Sequence, residues 1–207
     1  MASTDLAERS GKLSRSRILE IATEHFAAYG YRGASLGKIA AAAGLSQPGL
    51  LHHFPNKAAL LEAVLIDRDR RDLEAAIASG EELESLNLEE LIEFMARIVA
   101  RNSDHRNLVQ LAHHTAVEVA TGADHPAHGW VVGRQRILHE LCESAVRRSI
   151  DRGSIRSDAD PRQISVLLVA ASEGIENQWL LDPTIDMAAT FQHFANLMYE
   201  SVSARAE

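Results

Sequence analysis

The chain has 207 residues, 46% hydrophobic and 24% charged, which is enough apolar content for a real core and too much for a disordered chain. A single cysteine, Cys142, excludes an intrachain disulfide and thiolate metal clusters. The net charge of −8 is unevenly spread: residues 1–60 hold seven Lys/Arg against four acids and all three lysines, while the remainder holds 14 Lys/Arg against 25 acids. A small basic head on an acidic body suits a head that meets phosphate and a body that does not.

Apolar residues recur at helical spacing throughout, with no convincing β-alternation, so the expected fold is all-α with about nine helices. Residues 1–13 are polar, contain Ser10-Gly11, and read as a flexible arm without a signal-peptide apolar stretch. The first helix is expected from Ser14, with Ile18, Ile21, Ala22 and Phe26 on its apolar face and Gly30 as its stop. Ser35 is placed to cap a short second helix that Gly44 ends, and Ser46 to cap a third, with Pro48 in its first turn. Asn56 then opens a fourth helix, 58–79, carrying Leu60, Leu61, Val64 and Leu65, which connects head to body. These signals divide the chain into an arm (1–13), a small head (14–57) and a larger body (58–207).

In the body, Gly80 and the acidic run Glu81–Glu84 break the pattern, and Asn87 with Glu90 resembles a capping box before Leu88, Leu91, Ile92, Met95, Ile98 and Val99. Further helices are expected over Asp104–Thr121 and from the Gly122–Pro126 loop to Gly153. Asp160-Pro161 and Asp182-Pro183 each read as an Asp before a Pro at a first helical position, so the last helix is expected near Thr184–Ser203. Ile164–Ala171 is the best apolar run and is too short to span a bilayer, so a cytoplasmic location without membrane contact is expected.

The informative stretch is Ser35–Lys57, SLGKIAAAAGLSQPGLLHHFPNK. Two short helices meet at Ala43-Gly44-Leu45-Ser46, where Gly44 permits a left-handed backbone and Leu45 can bury beneath both. The alanine run 40–43 lets the helices approach closely. A rigid small-residue corner that presents the N-terminus of its second helix outward is what a helix-turn-helix needs to enter a major groove.

The segment resembles the TetR family of regulators. The residues that carry the resemblance are Gly30-Tyr31-x-Gly33, Ser35, Ile39-Ala40, Ala43-Gly44-Leu45-Ser46, Leu50 and His53-Phe54-Pro55-x-Lys57, within roughly residues 15–65. The resemblance implies a dimeric transcriptional repressor, not an enzyme, that leaves a palindromic double-stranded operator when a small-molecule effector binds. It implies DNA contacts by Ser35, Ser46, Gln47, Pro48, Gly49, His52, His53 and Lys57, with Gln47 facing base edges and Lys57 and Ser35 meeting phosphate. The family often has Gly-Thr-Leu-Tyr where this chain has Pro48-Gly49-Leu50-Leu51, and Leu51 cannot donate the phosphate hydrogen bond of the Tyr.

The expected homodimer surface is the last two helices. One holds Ile164, Val166, Leu167, Leu168, Val169 and Ile175; the other holds Met187, Phe191, Phe194, Leu197, Met198 and Val202. A helix apolar on more than one face needs cover on more than one side. Phe94, Met95, His113, His114, Glu118, Trp130, Asn177, Gln178 and Trp179 are the candidate lining of an effector pocket. His114 with Glu118, and His125 with His128, have spacings that can hold zinc, but no third ligand is specified, and neither a metal nor a cofactor is expected. The alternative reading is a helical metal- or small-molecule-binding enzyme whose N-terminal corner is only structural.

Overall fold

The computed structural model describes the backbone of residues 2–78, 82–122 and 124–204, and the side chains of 15–71, 74, 82–122 and 124–204. Among the described residues the elements are α1 (Ala2–Gly33), α2 (Leu36–Ala42), α3 (Gln47–His53), α4 (Lys57–Ala78), a 3-10 turn (Leu83–Ser85), α5 (Leu88–Asn102), α6 (Arg106–Thr121), α7 (His128–Asp151), α8 (Pro161–Leu181) and α9 (Met187–Val202). Nine α-helices and no strand occur among the described residues, as the periodicity indicates; one isolated bridge joins Ile155 to Ser203. None of these helices is long and apolar enough to cross a membrane.

α1 begins at Ala2 rather than Ser14, so residues expected as an arm carry helical backbone. Gly30 breaks the helix as expected: its φ of 65° is in the left-handed region, and Tyr31–Gly33 form a separate turn beyond it. Asn56 caps α4 by accepting from the Ala59 N–H at 2.8 Å. The Asn87–Glu90 capping box forms in both directions, and Asp160 accepts from the Arg162 and Gln163 amides with Pro161 in the first turn. Asp182-Pro183, however, does not start the last helix. Asp182 closes α8 and accepts from the Thr184 amide and hydroxyl, while Asp186 caps α9 through the Ala189 N–H. Gly80 and Glu81 lie outside the described residues.

The helices pack as two units, Met1–Arg71 with Gln110–Val131, and Asp72–Val109 with Val132–Glu207. This boundary differs from the expected 57/58. Leu60, Leu61, Val64 and Leu65 of α4 belong to the same buried cluster as Ile18, Phe26, Ile39, Leu50 and Phe54, together with Leu111 and Val119 of α6. Burying each of these large apolar side chains contributes about 1.5–3 kcal/mol, so the head is stabilised by chain well beyond residue 57.

The second unit has two apolar clusters. Leu88, Ile92, Val109, Leu168, Trp179, Phe191 and Met198 form one; Leu86, Leu91, Cys142, Ala145 and Val169 form the other. The apolar face of α9 is largely used up here, since Met187, Phe191 and Met198 are buried and Phe194 is half-buried. Only Leu197, of the α9 residues expected at a dimer surface, is exposed. α8 divides its apolar residues: Ile164, Leu168 and Val169 face the core, while Val166, Leu167 and Leu181 face outward.

Candidate nucleic-acid interface

The corner between α2 and α3 is built from local signals. Ala43 caps α2, Gly44 takes φ 73°, the Gly44 amide bonds the Ala41 carbonyl at 3.0 Å and the Leu45 amide bonds the Ala40 carbonyl at 2.9 Å. These paired bonds satisfy carbonyls that the helix end would leave open, and they fix the exit angle of the chain. Leu45 packs on the head core. The Ser46 hydroxyl then accepts from the Gly49 amide at 3.2 Å and opens α3. Gly49 has a steric reason beyond its flexibility: an added Cβ would lie 3.3 Å from that same hydroxyl oxygen.

Leu50 anchors α3, fully buried in the head core. Residues two before and two after it point the opposite way on a helix, so Pro48 and His52 face outward, and both are exposed. Gln47 is exposed at the first turn, with its side-chain oxygen near Gly37, where a Cβ would meet it at 3.3 Å. Gly49, Leu51 and His53 flank this face and are half-buried, and the His53 ring lies edge-on to His52 at 5.9 Å. The expected DNA-facing residues of α3 therefore sit on one short helix, with Gln47, Pro48 and His52 outermost. Ser35 precedes α2 in extended backbone and makes no side-chain cap bond.

Lys57 stands differently from what the sequence suggests. Its ammonium donates to the carbonyls of Arg32 at 3.3 Å and Ala34 at 3.0 Å, and lies 4.7 Å from the Tyr31 ring centroid. Two of its three N–H donors thus hold the turn between α1 and α2. Lys38, which the sequence reading counted only as part of the basic balance, is exposed on α2.

The candidate effector-lining residues are divided between the two units. Phe94 and Met95 pack on the cluster around Leu91 and Cys142, Trp179 is buried in the neighbouring cluster, and Asn177 and Gln178 are exposed. In the first unit His113 is half-buried and His114 exposed. Glu118 accepts from the backbone amides of Tyr31 at 2.8 Å and Arg32 at 3.4 Å, and the Trp130 indole donates to Asp69 at 2.7 Å. These bonds tie the two residues to α1 and α4. Among the described residues no group of three or more His, Cys, Asp or Glu could hold a metal ion. Glu118 lies 3.4 Å from His125 Nε2, and His128 is exposed.

The profile of the family described as bacterial regulatory proteins, tetR family, matches residues 18–64, the span from α1 through the corner into α4. The chain is similar to AcnR, an HTH-type transcriptional repressor of Corynebacterium efficiens, with 26% identity over 161 residues that cover 78% of this chain and 79% of AcnR. It is equally similar to UidR, an HTH-type transcriptional regulator of Escherichia coli K12, with 26% identity over 175 residues covering 83% and 84%. In fold it resembles the transcriptional regulator FadR of Bacillus subtilis, solved in complex with stearoyl-CoA, with a TM-score of 0.75 at 16% identity, covering 90% of this chain and 98% of that one. The corner and the exposed face of α3 lie within residues 18–64, so this segment matches the helix-turn-helix head of tetR-family bacterial regulatory proteins, and the chain is similar over most of its length to transcriptional regulators.

Proposed function

We propose that this regulator is a repressor that binds a palindromic operator as a homodimer and leaves it when a small-molecule effector binds. The observation that carries the reading is the outward face of α3. Gln47, Pro48 and His52 are exposed on a helix whose opposite face is pinned by Leu50 and whose start is fixed by Ser46. Gln47 can bond an adenine edge in two places, and His52 can reach a neighbouring base or phosphate. Ser35, Ser46 and Gly49 frame the same corner, His53 flanks it, Lys57 holds the turn beneath it, and Lys38 supplies a phosphate contact. The relatives are named repressor and regulator, which favours this reading over an enzyme with a structural corner.

One such corner reads one half-site, so two copies related by a two-fold axis, with α3 helices about 34–36 Å apart, would be needed for tight binding. The outward stripe of α8 supports a dimer. Val166 is 45% exposed, Leu167 53% and Leu181 76%, with Leu197 of α9 at 55%. Removing such a stripe from water drives association. An effector is supported by fold alone, since the similarly folded FadR holds stearoyl-CoA. Release requires that an effector prefer the state that does not bind DNA.

The test is fluorescence anisotropy of labelled DNA from the intergenic region beside its own gene, at several salt concentrations and against random duplex. Tight, salt-sensitive binding that prefers the native fragment supports the proposal. Absence of binding to any duplex at low salt would reduce the corner to a structural feature.

A further inference from the structure

The turn between α1 and α2 decides where the helix-turn-helix stands on its supporting core, and a side chain far away in sequence holds it. Beyond Gly30 the amides of Tyr31 and Arg32 have turned away from the helix ladder. Both point at the Glu118 carboxylate of α6, one to each oxygen, at 2.8 Å and 3.4 Å. The bond from Tyr31 has the length of a charge-assisted bond, stronger than a neutral one, and the Arg32 contact is the longer and weaker of the two.

The approach is close on both sides. A Cβ on Gly30 would lie 2.7 Å from Glu118 Oε1, and a Cβ on Gly122 would lie 3.3 Å from an Arg32 guanidinium nitrogen and 3.4 Å from the Glu118 carbonyl. Each strand of this contact therefore has a glycine where the other passes. His125 lies beside the carboxylate without a hydrogen bond to it. Its Nδ1 accepts from the Ala127 amide at 3.2 Å, and its Nε2 lies 3.4 Å from Glu118 Oε2. The Tyr31 ring fills the space between, edge-on to His125 at 5.2 Å and stacked on Phe26 at 6.3 Å. Lys57 holds the carbonyls of the same turn, at Arg32 and Ala34.

We infer that Glu118 is a positioning residue of the DNA interface: its carboxylate clamps the Tyr31 and Arg32 amides and thereby fixes the approach of α2 and α3. It lies outside the span matched by the family profile, and its carboxylate bonds the turn beyond Gly30 rather than the recognition helix. Its action is through the turn that leads into α2. The clamp needs both oxygens as acceptors. A glutamine offers one acceptor and turns an N–H pair toward the other amide, so even this isosteric change breaks half of the clamp.

The inference rests on the DNA-binding reading, and the experiment separates the two. Operator duplexes are first selected from a random library by the full wild-type chain, and binding of wild type, Glu118→Gln and Glu118→Asp is then compared on the best duplex and on random duplex. Amide hydrogen exchange at Tyr31 and Arg32 is measured on the same folded proteins. The expected result is a roughly tenfold or greater loss of preference for the selected duplex in Glu118→Gln, with faster exchange at both amides and an unchanged salt slope. A smaller loss is expected for Glu118→Asp, which keeps the charge but shortens the reach. A merely structural residue would lower binding to both duplexes together through unfolding. Wild-type preference and wild-type amide protection in both variants would overturn the inference; a wild-type chain that enriches no sequence overturns the DNA-binding reading itself.

Discussion

The Lys57 ammonium donates to the Ala34 carbonyl at 3.0 Å, across the foot of the helix-turn-helix, and with a second bond to Arg32 it closes the turn between α1 and α2. A lysine at this place reads from sequence as a phosphate ligand, yet most of its bonding capacity is spent inside the protein. Lys57→Met should therefore lower the thermal midpoint and weaken operator binding, while the slope of log K against log salt falls by well under the ~0.9 expected for one lost phosphate contact. Lys38→Met, on the exposed side of α2, should do the reverse, with a slope reduced by about 0.9 and an unchanged midpoint. Salt titrations of both variants with melting curves decide this; a full unit of slope lost in Lys57→Met would return it to the phosphate.

Gly44 and Gly153 take nearly the same left-handed backbone, φ 73° and 75°, and a Cβ on either would have nothing within 4 Å. Alanine at either site therefore meets backbone strain alone, about 1–2 kcal/mol. Both Gly44→Ala and Gly153→Ala should lose stability of that order in urea unfolding. Only Gly44→Ala should also lose operator affinity, because only Gly44 sets the angle between α2 and α3. Equal DNA binding by the two variants would mean that the corner tolerates a different turn.

Those two glycines, and the caps Ser46, Asn56, Asn87 and Asp160, were legible because each acts on amides within three residues of itself. Asp182-Pro183 carried the same local signature and misled, since an Asp can spend its oxygen on an Asx turn as readily as on a helix start; here it serves Thr184, and Asp186 caps α9. The start of α1 at Ala2 has no local cue beyond polar residues. What could not be read were partners distant in the chain: Glu118 stands 87 residues from Tyr31, and Asp69 stands 61 from Trp130. Periodicity marks that a helix has an apolar face but not what covers it, so α9 reads like a dimer surface although its Phe191 and Met198 fill its own core.

Cys142 is buried in the second unit beside Leu91, Ala145 and Val169. Burial pushes its thiol up, the neighbouring Glu143 charge adds to this, and a hydrogen bond with Ser165 opposes it; the result is about 11. The thiolate is the reactive form, so the native protein should be nearly inert to a thiol reagent at pH 8 and react at the rate of local or global opening. The linkage has a definite sign. The folded value lies above the ordinary value of 9.0, so the native state gains fully below pH 9 and loses that advantage as pH rises from about 9 to 11. Stopped-flow labelling with and without urea tests this; fast labelling of native protein at pH 8 would contradict the buried thiol.

Leu167 and Leu168 are adjacent on α8 and face opposite ways, one 53% exposed and the other fully buried. They separate the two meanings of an apolar helix. Leu168→Ala should cost the fold about 2–5 kcal/mol through lost burial and a cavity, with any effect on assembly following from instability. Leu167→Glu removes no core contact and places a charge on the outward stripe with Val166 and Leu181. In a dimer joined through this stripe it would bury two like charges near the two-fold axis, where desolvation and repulsion act together. The expected outcome is a folded monomer by light scattering, with the helical content of the parent, and operator affinity reduced to that of a single half-site. If Leu167→Glu remains a dimer and binds the operator like the parent, the outward face of α8 is not the interface and the second copy must be held elsewhere.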